Sequence, residues 1–118
     1  MSLGNFKIYN ALQSTCSQRV RYTLHHKKID FSMEILDLFS GDQLKPEYLA
    51  INPNGVVPAL DHDGKIIIDS SVIIEYLEDI DINLHPLRPK QPEKCADMRA
   101  MIRYFDEIAG PSVRIPSY

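Results

Sequence analysis

Two short stretches of this chain have the residues to bind a peptide-like molecule through backbone groups. In the first, Val57-Pro58 leads from a turn into a short apolar run; in the second, Asp69-Ser70 joins a strand-like run to a helix-like segment. At both places some backbone N–H groups have no partner within their own element and can bind a ligand. Asp69 adds a carboxylate. The stretches therefore predict a site for a small peptide-like ligand, although Asp69-Ser70 is also the pattern of an ordinary helix cap.

A third stretch, STCSQRVR at residues 14–21, places hydroxyl groups at the predicted start of a helix. Thr15 and Gln18 have the spacing of a capping box, which predicts that Thr15 is the N-cap residue. Ser14 then lies just ahead of the helix, where the partial positive charge of the helix N-terminus favours a bound anion. From its position alone, Ser14 is either a loop or capping serine or a hydroxyl that stabilises such an anion.

The two cysteines, Cys16 and Cys95, do not have the spacing of a metal site. A thiol in the first turn of a helix can have a lowered pKa, so Cys16 is a candidate redox or nucleophilic group. The four-residue spacing of Cys16, Val20 and Leu24 predicts instead that Cys16 points into the core. Cys95 lies on the apolar stripe of a later helix, which indicates packing.

Hydrophobic periodicity predicts the elements that position these stretches. Strands are expected at Phe6–Tyr9, Phe31–Leu38, Val56–Asp61 and Lys65–Ile68, and helices at residues 15–27, 46–51, 70–80 and 93–109. The last two strands form a hairpin through Asp63-Gly64, and a parallel β-α-β unit comes before them. The sequence thus predicts an α/β domain of four strands with helices on both faces. Residues 81–92 hold three prolines and predict a linker.

The composition is that of an ordinary globular protein, with 44% hydrophobic and 25% charged residues. A net charge of −3 without a basic cluster argues against nucleic acid or a membrane as partner. Arg19 and Arg21 are predicted to form surface or inter-domain salt bridges. Two distant cysteines in a chain without a signal peptide predict reduced thiols and a cytoplasmic location.

Three motifs occur in order along the chain: STCSQRVR at residues 14–21, NPNGVVPAL at 52–60 and IIIDSSVIIEYLED at 66–79. Together they resemble the glutathione transferase superfamily, and the resemblance extends over about residues 5–110. The first motif is similar to the serine-type zeta class, which includes maleylacetoacetate isomerase. The third is more similar to bacterial transferases that include β-etherases and dehalogenases.

The resemblance implies a thioredoxin-like, four-stranded mixed sheet with flanking helices, followed by the start of an all-helical second domain. The expected organisation is a glutathione-binding domain at residues 1–80, a linker at 81–92 and the first part of the helical domain at 93–118. The superfamily also implies a homodimer.

The resemblance further implies an enzyme that activates the thiol of glutathione for attack on a small hydrophobic electrophile, without a metal. A free thiol has a pKa of about 8.5, so only a few per cent is thiolate at neutral pH. In the family the first serine of this motif stabilises the thiolate, so the resemblance implies this role for Ser14, and Cys16 is the competing catalytic group. Thiol–disulfide or deglutathionylating chemistry through Cys16 is one alternative, and a non-catalytic interaction module with a transferase-like fold is another.

The same resemblance assigns other positions to parts of glutathione. Pro58 is expected to follow a cis peptide bond, with the backbone of Val57 pairing with the cysteinyl residue. Asp69 is expected to bind the γ-glutamyl ammonium group, and Ser70 the neighbouring carboxylate.

Gln43 and Lys45 are the candidates for the glycine carboxylate of glutathione, and each can equally be a solvated loop residue. The electrophile is expected to bind near Tyr104, Ile108 and Ser112, for which ordinary packing is the other interpretation.

Overall fold

The computed structural model describes residues 3–81, 85–109 and 111. Its elements follow the predicted order of strands and helices. They are β1 (Phe6–Asn10), α1 (Thr15–His26), β2 (Ser32–Ile35), α2 (Pro46–Leu49), β3 (Ala59–His62), β4 (Lys65–Ile68), α3 (Ser70–Ile80) and α4 (Pro92–Tyr104). A 3-10 turn at Asp42–Leu44 precedes α2, and a π-helical turn at Phe105–Ala109 continues α4.

The four strands form one mixed sheet in the order β2-β1-β3-β4. β1 and β2 are parallel, with Ile8 opposite Met33, whereas β1 and β3 are antiparallel, with Ile8 opposite Leu60. Asp63 and Gly64 join β3 to β4 with φ angles of 51° and 92°, the positive values that a two-residue hairpin turn requires. The predicted α/β class, parallel unit and hairpin are therefore confirmed.

The main hydrophobic core lies between one face of the sheet and helices α1 and α3. Val20 and Leu24 of α1 and Ile73 and Leu77 of α3 are fully buried, and they pack with apolar residues of β1, β3 and β4. Their spacing of three or four residues is the helical period that the sequence showed. This packing fixes α1 beside α3 on the same face.

A smaller apolar cluster covers the opposite face of the sheet. Tyr48 of α2 packs there with Tyr9, Leu36 and Ala59, all of them buried. Helices therefore lie on both faces, as predicted, because β1 alternates its side chains between the two clusters.

Two of the predicted strands are shorter in the structure. β2 ends at Ile35 rather than Leu38, and β3 begins at Ala59 rather than Val56. After β2, the Asp37 carboxylate accepts hydrogen bonds from the N–H groups of Phe39 and Ser40 at 3.1 and 3.3 Å. The Ser40 hydroxyl adds a bond of 2.7 Å to the same carboxylate, and these bonds hold the pKa of Asp37 below its usual value. A side chain, rather than a neighbouring strand, thus satisfies the backbone here.

A buried ion pair attaches the residues after α3 to the main core. Lys27 at the end of α1 has a fully buried side chain and lies 2.7 Å from Glu78 of α3. The Glu78 carboxylate also accepts hydrogen bonds from the N–H groups of Leu87 and Arg88, at 3.0 and 2.8 Å. Lys27 donates to the carbonyl of His85 at 2.9 Å. Part of the predicted linker is therefore held by charged groups in the interior.

Helix α4 is mostly exposed. Cys95 is buried, as its position on the apolar stripe predicted, whereas Met101 and Tyr104 remain exposed. Among the described residues, no helix has both the length and the apolar content needed to cross a membrane.

Candidate active site

The strand directions bring the three sequence motifs to one edge of the sheet. Asn10 at the end of β1 lies opposite Ile35 at the end of β2, and Tyr9 lies opposite Ala59 at the start of β3. Ala59 in turn pairs with Ile68 at the end of β4. Because α1 follows β1 and α3 follows β4, both helices begin at this edge. Residues distant in sequence therefore meet there.

A cleft made of two adjoining cavities opens at this edge, with volumes of about 220 and 200 Å3. Cys16, Val56 and Val57 line both cavities. The first is also lined by Gln13, Ser14, Leu38, Phe39, Gln43 and Gly55, and the second by Pro58, Asp69, Ser70, Phe105 and Asp106. All but one of the residues predicted to bind or activate glutathione thus lie around a single cleft.

Ser14 is the N-cap residue of α1. Its backbone is extended, with φ −72° and ψ 123°, and its hydroxyl oxygen accepts a hydrogen bond of 3.1 Å from the N–H of Ser17. The prediction that Thr15 caps the helix is wrong by one residue, because Thr15 already belongs to α1. Ser14 is 2% exposed and lines the first cavity. Since the cap uses only its oxygen, the hydroxyl hydrogen can still be donated to a ligand.

Cys16 lies in the cleft rather than in the core. It is half-buried with a free thiol, and it lines both cavities. Ser17 takes the buried position in the first turn of α1, below Val20. The prediction that Cys16 points into the core is therefore wrong: the first helical turn stands at the edge of the sheet, so the cleft lies where the core would otherwise be.

The segment from Val56 to Pro58 forms the wall shared by the two cavities. The Val57–Pro58 peptide bond is cis, as the resemblance implied. The carbonyl of Val56 accepts hydrogen bonds from the hydroxyl of Tyr48 at 2.6 Å and from the side-chain amide of Asn52 at 3.0 Å. Burial raises the pKa of Tyr48 to about 12, so this hydroxyl stays protonated as a donor. Helix α2 and the turn after it therefore fix the backbone beside the cleft.

Asp69 caps α3 and also lines the second cavity. Its carboxylate accepts hydrogen bonds from the N–H groups of Ser71 at 3.0 Å and Val72 at 3.4 Å. Asp69, rather than Ser70 or Ser71, is therefore the N-cap residue of α3. Asp69 has φ 74°, a conformation that is uncommon outside glycine and is found at binding sites. Both hydrogen bonds use Oδ1, and the residue lines the second cavity.

Gln43 and Lys45 lie in different places. Gln43 lines the first cavity, and its side-chain Oε1 is buried without a hydrogen-bond partner in the described structure. Lys45 lines a separate cavity on the other face of the sheet and forms an ion pair with Asp42 at 2.7 Å. The structure thus brings Gln43, and not Lys45, together with the other predicted residues.

Asp106 and Phe105 are cleft residues that the sequence did not reveal. Asp106 accepts a hydrogen bond of 3.0 Å from Arg19 of α1 and one of 2.6 Å from the hydroxyl of Ser71 in α3. The Arg19 guanidinium also stacks 4.4 Å above the Phe105 ring. Arg19 was expected to form a surface or inter-domain salt bridge, but no spacing in the sequence pointed to Asp106 as its partner.

The residues expected to hold the electrophile do not line the described cleft. Tyr104 and Ile108 are each 54% exposed and line neither of its cavities. Ser112 lies outside the described residues. Within the described ranges, no group of three His, Cys, Asp or Glu side chains could hold a metal ion.

The fold and the cleft together define a thioredoxin-like domain with a capping hydroxyl, a cis-proline wall and an acidic helix cap around one cleft. Residues 13–80 match the family model described as glutathione S-transferase, N-terminal domain. That match covers more than half of the chain. The chain therefore belongs to the glutathione S-transferase family.

Known relatives lie in several classes of this family. The chain is 43% identical to glutathione S-transferase 1 of Dianthus caryophyllus over 76% of this chain and 40% of the relative. It is 36% identical to maleylacetoacetate isomerase of Dictyostelium discoideum, over 91% of this chain and 48% of the relative. The chain thus spans about half, or less, of the length of the curated relatives that it matches.

Solved structures show the same fold. The crystal structure of the beta-etherase LigF from Sphingobium sp. strain SYK-6 matches with a TM-score of 0.82 and 38% identity, over 87% of this chain and 43% of that one. A glutathione transferase homologue from Sulfitobacter, solved with bound glutathione, matches with a TM-score of 0.81 and 28% identity. That match covers 87% of this chain and 49% of the Sulfitobacter chain.

Proposed function

We propose that this chain supplies the glutathione-binding part of a glutathione transferase, which activates the glutathione thiol for attack on a small hydrophobic electrophile. The observation that carries the proposal is the convergence of Ser14, Val57, Asp69 and Ser70 on one cleft. Three separate motifs, each weak alone, meet there as the family requires. The bound glutathione in the Sulfitobacter relative supports the same ligand.

In this proposal Ser14 stabilises the thiolate. Its hydroxyl is held by the cap bond from the N–H of Ser17, and the residue is 2% exposed, so water competes little for this group. The start of α1 adds partial positive charge beside the sulfur. Both effects favour the thiolate over the thiol, which lowers the thiol pKa toward neutral pH.

The remaining cleft residues bind the peptide portion of glutathione. The Val57 backbone pairs with the cysteinyl residue as a short added strand, beside Pro58. The carboxylate of Asp69 binds the γ-glutamyl ammonium group through Oδ2, because Oδ1 already caps α3. The hydroxyl of Ser70 and the start of α3 bind the γ-glutamyl carboxylate. Gln43 binds the glycine carboxylate in the first cavity.

The proposed reaction class is glutathione-dependent chemistry at the thiol sulfur. Relatives include a maleylacetoacetate isomerase and a beta-etherase, so isomerase, etherase or dehalogenase activity is the alternative to simple transfer.

We further propose a homodimer, and a cytoplasmic location that suits the two free cysteines. We also propose that a second, helical domain begins at residue 93.

Isothermal titration calorimetry with reduced glutathione tests the proposal directly. We expect binding with one site per chain, and ultraviolet absorbance of the bound thiolate should show a thiol pKa below that of free glutathione. Ser32→Ala, an exposed change on β2, is the control and should leave both unchanged. Absence of glutathione binding would overturn the proposal and favour the non-catalytic interaction module.

The placement of Cys16 keeps thiol–disulfide chemistry as a second candidate function. Its free thiol lies in both cavities, close to where the glutathione sulfur would bind. Cys16→Ser should abolish glutathione-dependent disulfide reduction and spare the transfer reaction if this second function exists. Equal reduction rates in the variant and the parent would remove it.

A further inference from the structure

The connection between β1 and α1, residues 11–13, is held by side chains from α1 itself. Arg21 donates to the carbonyls of Ala11 at 3.4 Å and Leu12 at 3.2 Å. Gln18 donates to the same Leu12 carbonyl at 3.4 Å. Ser17 accepts a hydrogen bond of 3.4 Å from the N–H of Ala11. Side chains of α1 therefore hydrogen-bond to the backbone of the loop that leads into the helix.

Ser14 depends on that loop for its position. Its N–H donates to the Ala11 carbonyl at 3.1 Å, so the backbone of Ser14 is anchored to a residue that Arg21 also holds. The Ser14 hydroxyl is anchored separately, by the N–H of Ser17. A shift of Ala11 would therefore move Ser14 relative to the cleft.

Arg21 also joins the loop to the sheet. Its guanidinium donates to the side-chain oxygen of Asn10, which is fully buried at the end of β1. The Asn10 amide in turn donates to the backbone carbonyl of Glu34 in β2 at 3.3 Å. A guanidinium forms such bonds in several fixed directions at once, which an ammonium group cannot do. One side chain thus ties together the end of a strand, the loop and the helix.

We propose that Arg21 is the positioning residue of this site: it holds residues 10–12 so that the Ser14 hydroxyl faces the glutathione sulfur. This inference rests on the proposed function. Small displacements of a reacting group lower the rate strongly, because the hydrogen bond to the sulfur must be short and aligned. Arg21 lines neither cavity of the cleft, so its effect is exerted through the loop.

Two substitutions separate the geometry of Arg21 from its charge. Arg21→Gln removes the charge and the fork of donors, whereas Arg21→Lys keeps the charge and removes the fork. For both, we expect the thiol pKa of bound glutathione to rise by about one unit, which lowers the ratio of thiolate to thiol about tenfold. The dissociation constant of glutathione should change less than threefold, because the groups that bind its peptide portion lie elsewhere.

Arg99→Gln removes an equal charge from an exposed position on α4 and is the matched control. Circular dichroism shows which variants remain folded, and Gln18→Ala, which removes only one donor to Leu12, should shift the thiol pKa by a smaller amount in the same direction. A normal thiol pKa in folded Arg21→Lys would overturn the positioning role and leave only an effect of charge. If the thiol pKa is unshifted in both Arg21 variants, Arg21 has a purely structural role and does not position Ser14.

The parent chain distinguishes failure of this inference from failure of the proposed function. If the parent binds glutathione and lowers its thiol pKa, the proposed function stands whatever the Arg21 variants do. If the parent does neither, the proposed function fails first, and with it the role of Arg21.

Discussion

At the scale of single residues, one hydroxyl has two tasks in this cleft. Ser14 accepts a hydrogen bond from Ser17 to cap α1 and, in the proposed function, donates its own hydrogen to the glutathione sulfur. The two tasks use different parts of the group, the oxygen lone pair and the hydrogen. A capping serine is therefore compatible with catalysis, and substitutions can separate the two.

Ser14→Ala removes both the cap of α1 and the hydrogen bond to the glutathione sulfur. Ser14→Asp keeps the cap and removes only the hydrogen bond to the sulfur. An aspartate caps a helix as well as serine does, but a carboxylate cannot donate and would repel a thiolate. We expect turnover to fall about a hundredfold in both variants, the usual loss of one donor to a developing anion. Only Ser14→Ala should lose about 1 kcal/mol in the free energy of unfolding. Steady-state kinetics and denaturant titration measure the two effects.

One result would contradict the proposed role of Ser14 in catalysis. If Ser14→Asp keeps the parent turnover, a hydrogen bond from Ser14 is not needed and its role is capping alone. Cys16 would then become the leading catalytic candidate, because its thiol lies in the same cleft.

Gln43 and Lys45 form a second matched pair. The first lines the cleft with a buried, unpartnered side-chain oxygen, and the second is paired with Asp42 on the other face of the sheet. Gln43→Ala removes the side-chain amide N–H that would donate to the glycine carboxylate, so it should weaken glutathione binding about tenfold, the effect of one lost hydrogen bond to a charged group. Lys45→Ala should change it less than twofold. Calorimetry on both variants decides, and a larger loss from Lys45→Ala would reverse the assignment.

Sequence alone predicted which residues surround the cleft better than how each one is oriented. The motifs located Ser14, Val57 and Asp69, because residue type and spacing carry that information. Helical periodicity gave the wrong orientation for Cys16. The spacing shows which residues share a face of the helix, but it does not show that the first turn lies beyond the end of the sheet. Asp106 was missed for a related reason: its contact with Arg19 spans the chain and leaves no local pattern.

At the scale of elements, the contact between α1, α3 and the following segment depends on buried charge. Burial raises the pKa of Glu78, but the hydrogen bonds from Lys27 and from the N–H groups of Arg88 and Leu87 outweigh it, so the pKa lies below its ordinary value. Such a carboxyl stabilises the fold above its unfolded pKa of about 4.3. That contribution is lost as the pH falls through the lower, folded value.

Glu78→Gln should therefore lower the free energy of unfolding by about 3 kcal/mol at pH 7, because it leaves Lys27 without its nearest carboxylate. The difference between variant and parent should begin to shrink as the pH falls below the unfolded pKa of about 4.3, and should disappear only below the lower, folded pKa, where Glu78 is protonated in both states of the parent. Denaturant titrations at pH 7 and pH 3 measure both values. Asp37 and Asp42 also have lowered pKa values, but they are present in both proteins and cancel in the comparison.

A constant difference between the two proteins across this pH range would contradict the prediction. It would mean that packing at residue 78, and not its charge, joins the elements. Glu75→Gln is a suitable control, since Glu75 lies on the same helix and pairs with Arg88 at a partly exposed site.

The elements themselves were largely predictable, because helices and strands repeat at fixed periods. The segment from Asp37 to Leu44 was not, since its backbone is held by side-chain hydrogen bonds that follow no period. This segment matters for the cleft, because Leu38, Phe39 and Gln43 come from it.

At the scale of the whole molecule, two kinds of contact attach the residues after α3. The charged network around Glu78 holds residues 85–88, and the bonds of Arg19 and Ser71 to Asp106 hold the end of α4. The first is buried in the interior of the α/β domain, and the second lies beside the cleft. Residues 85–88 are therefore energetically part of the first unit, although their composition predicted a linker.

Two fragments test where that unit ends. A fragment of residues 1–80 lacks the Leu87 and Arg88 donors to Glu78, whereas a fragment of residues 1–91 keeps them and lacks only α4 and the residues after it. We expect the longer fragment to be more stable by about 3 kcal/mol, since each lost bond to a buried charge costs about 1.5 kcal/mol or more.

The same two fragments also separate folding from binding. Residues 1–91 retain Ser14, Val57, Asp69 and Ser70 and should bind glutathione, with a loss of up to about tenfold because Phe105 and Asp106 no longer close the second cavity. Equal stability of the two fragments would place the boundary at residue 80 and make the Glu78 network dispensable. Complete loss of binding in a folded 1–91 fragment would instead make the end of α4 an essential part of the glutathione site, and the unit that binds glutathione would then extend through Asp106.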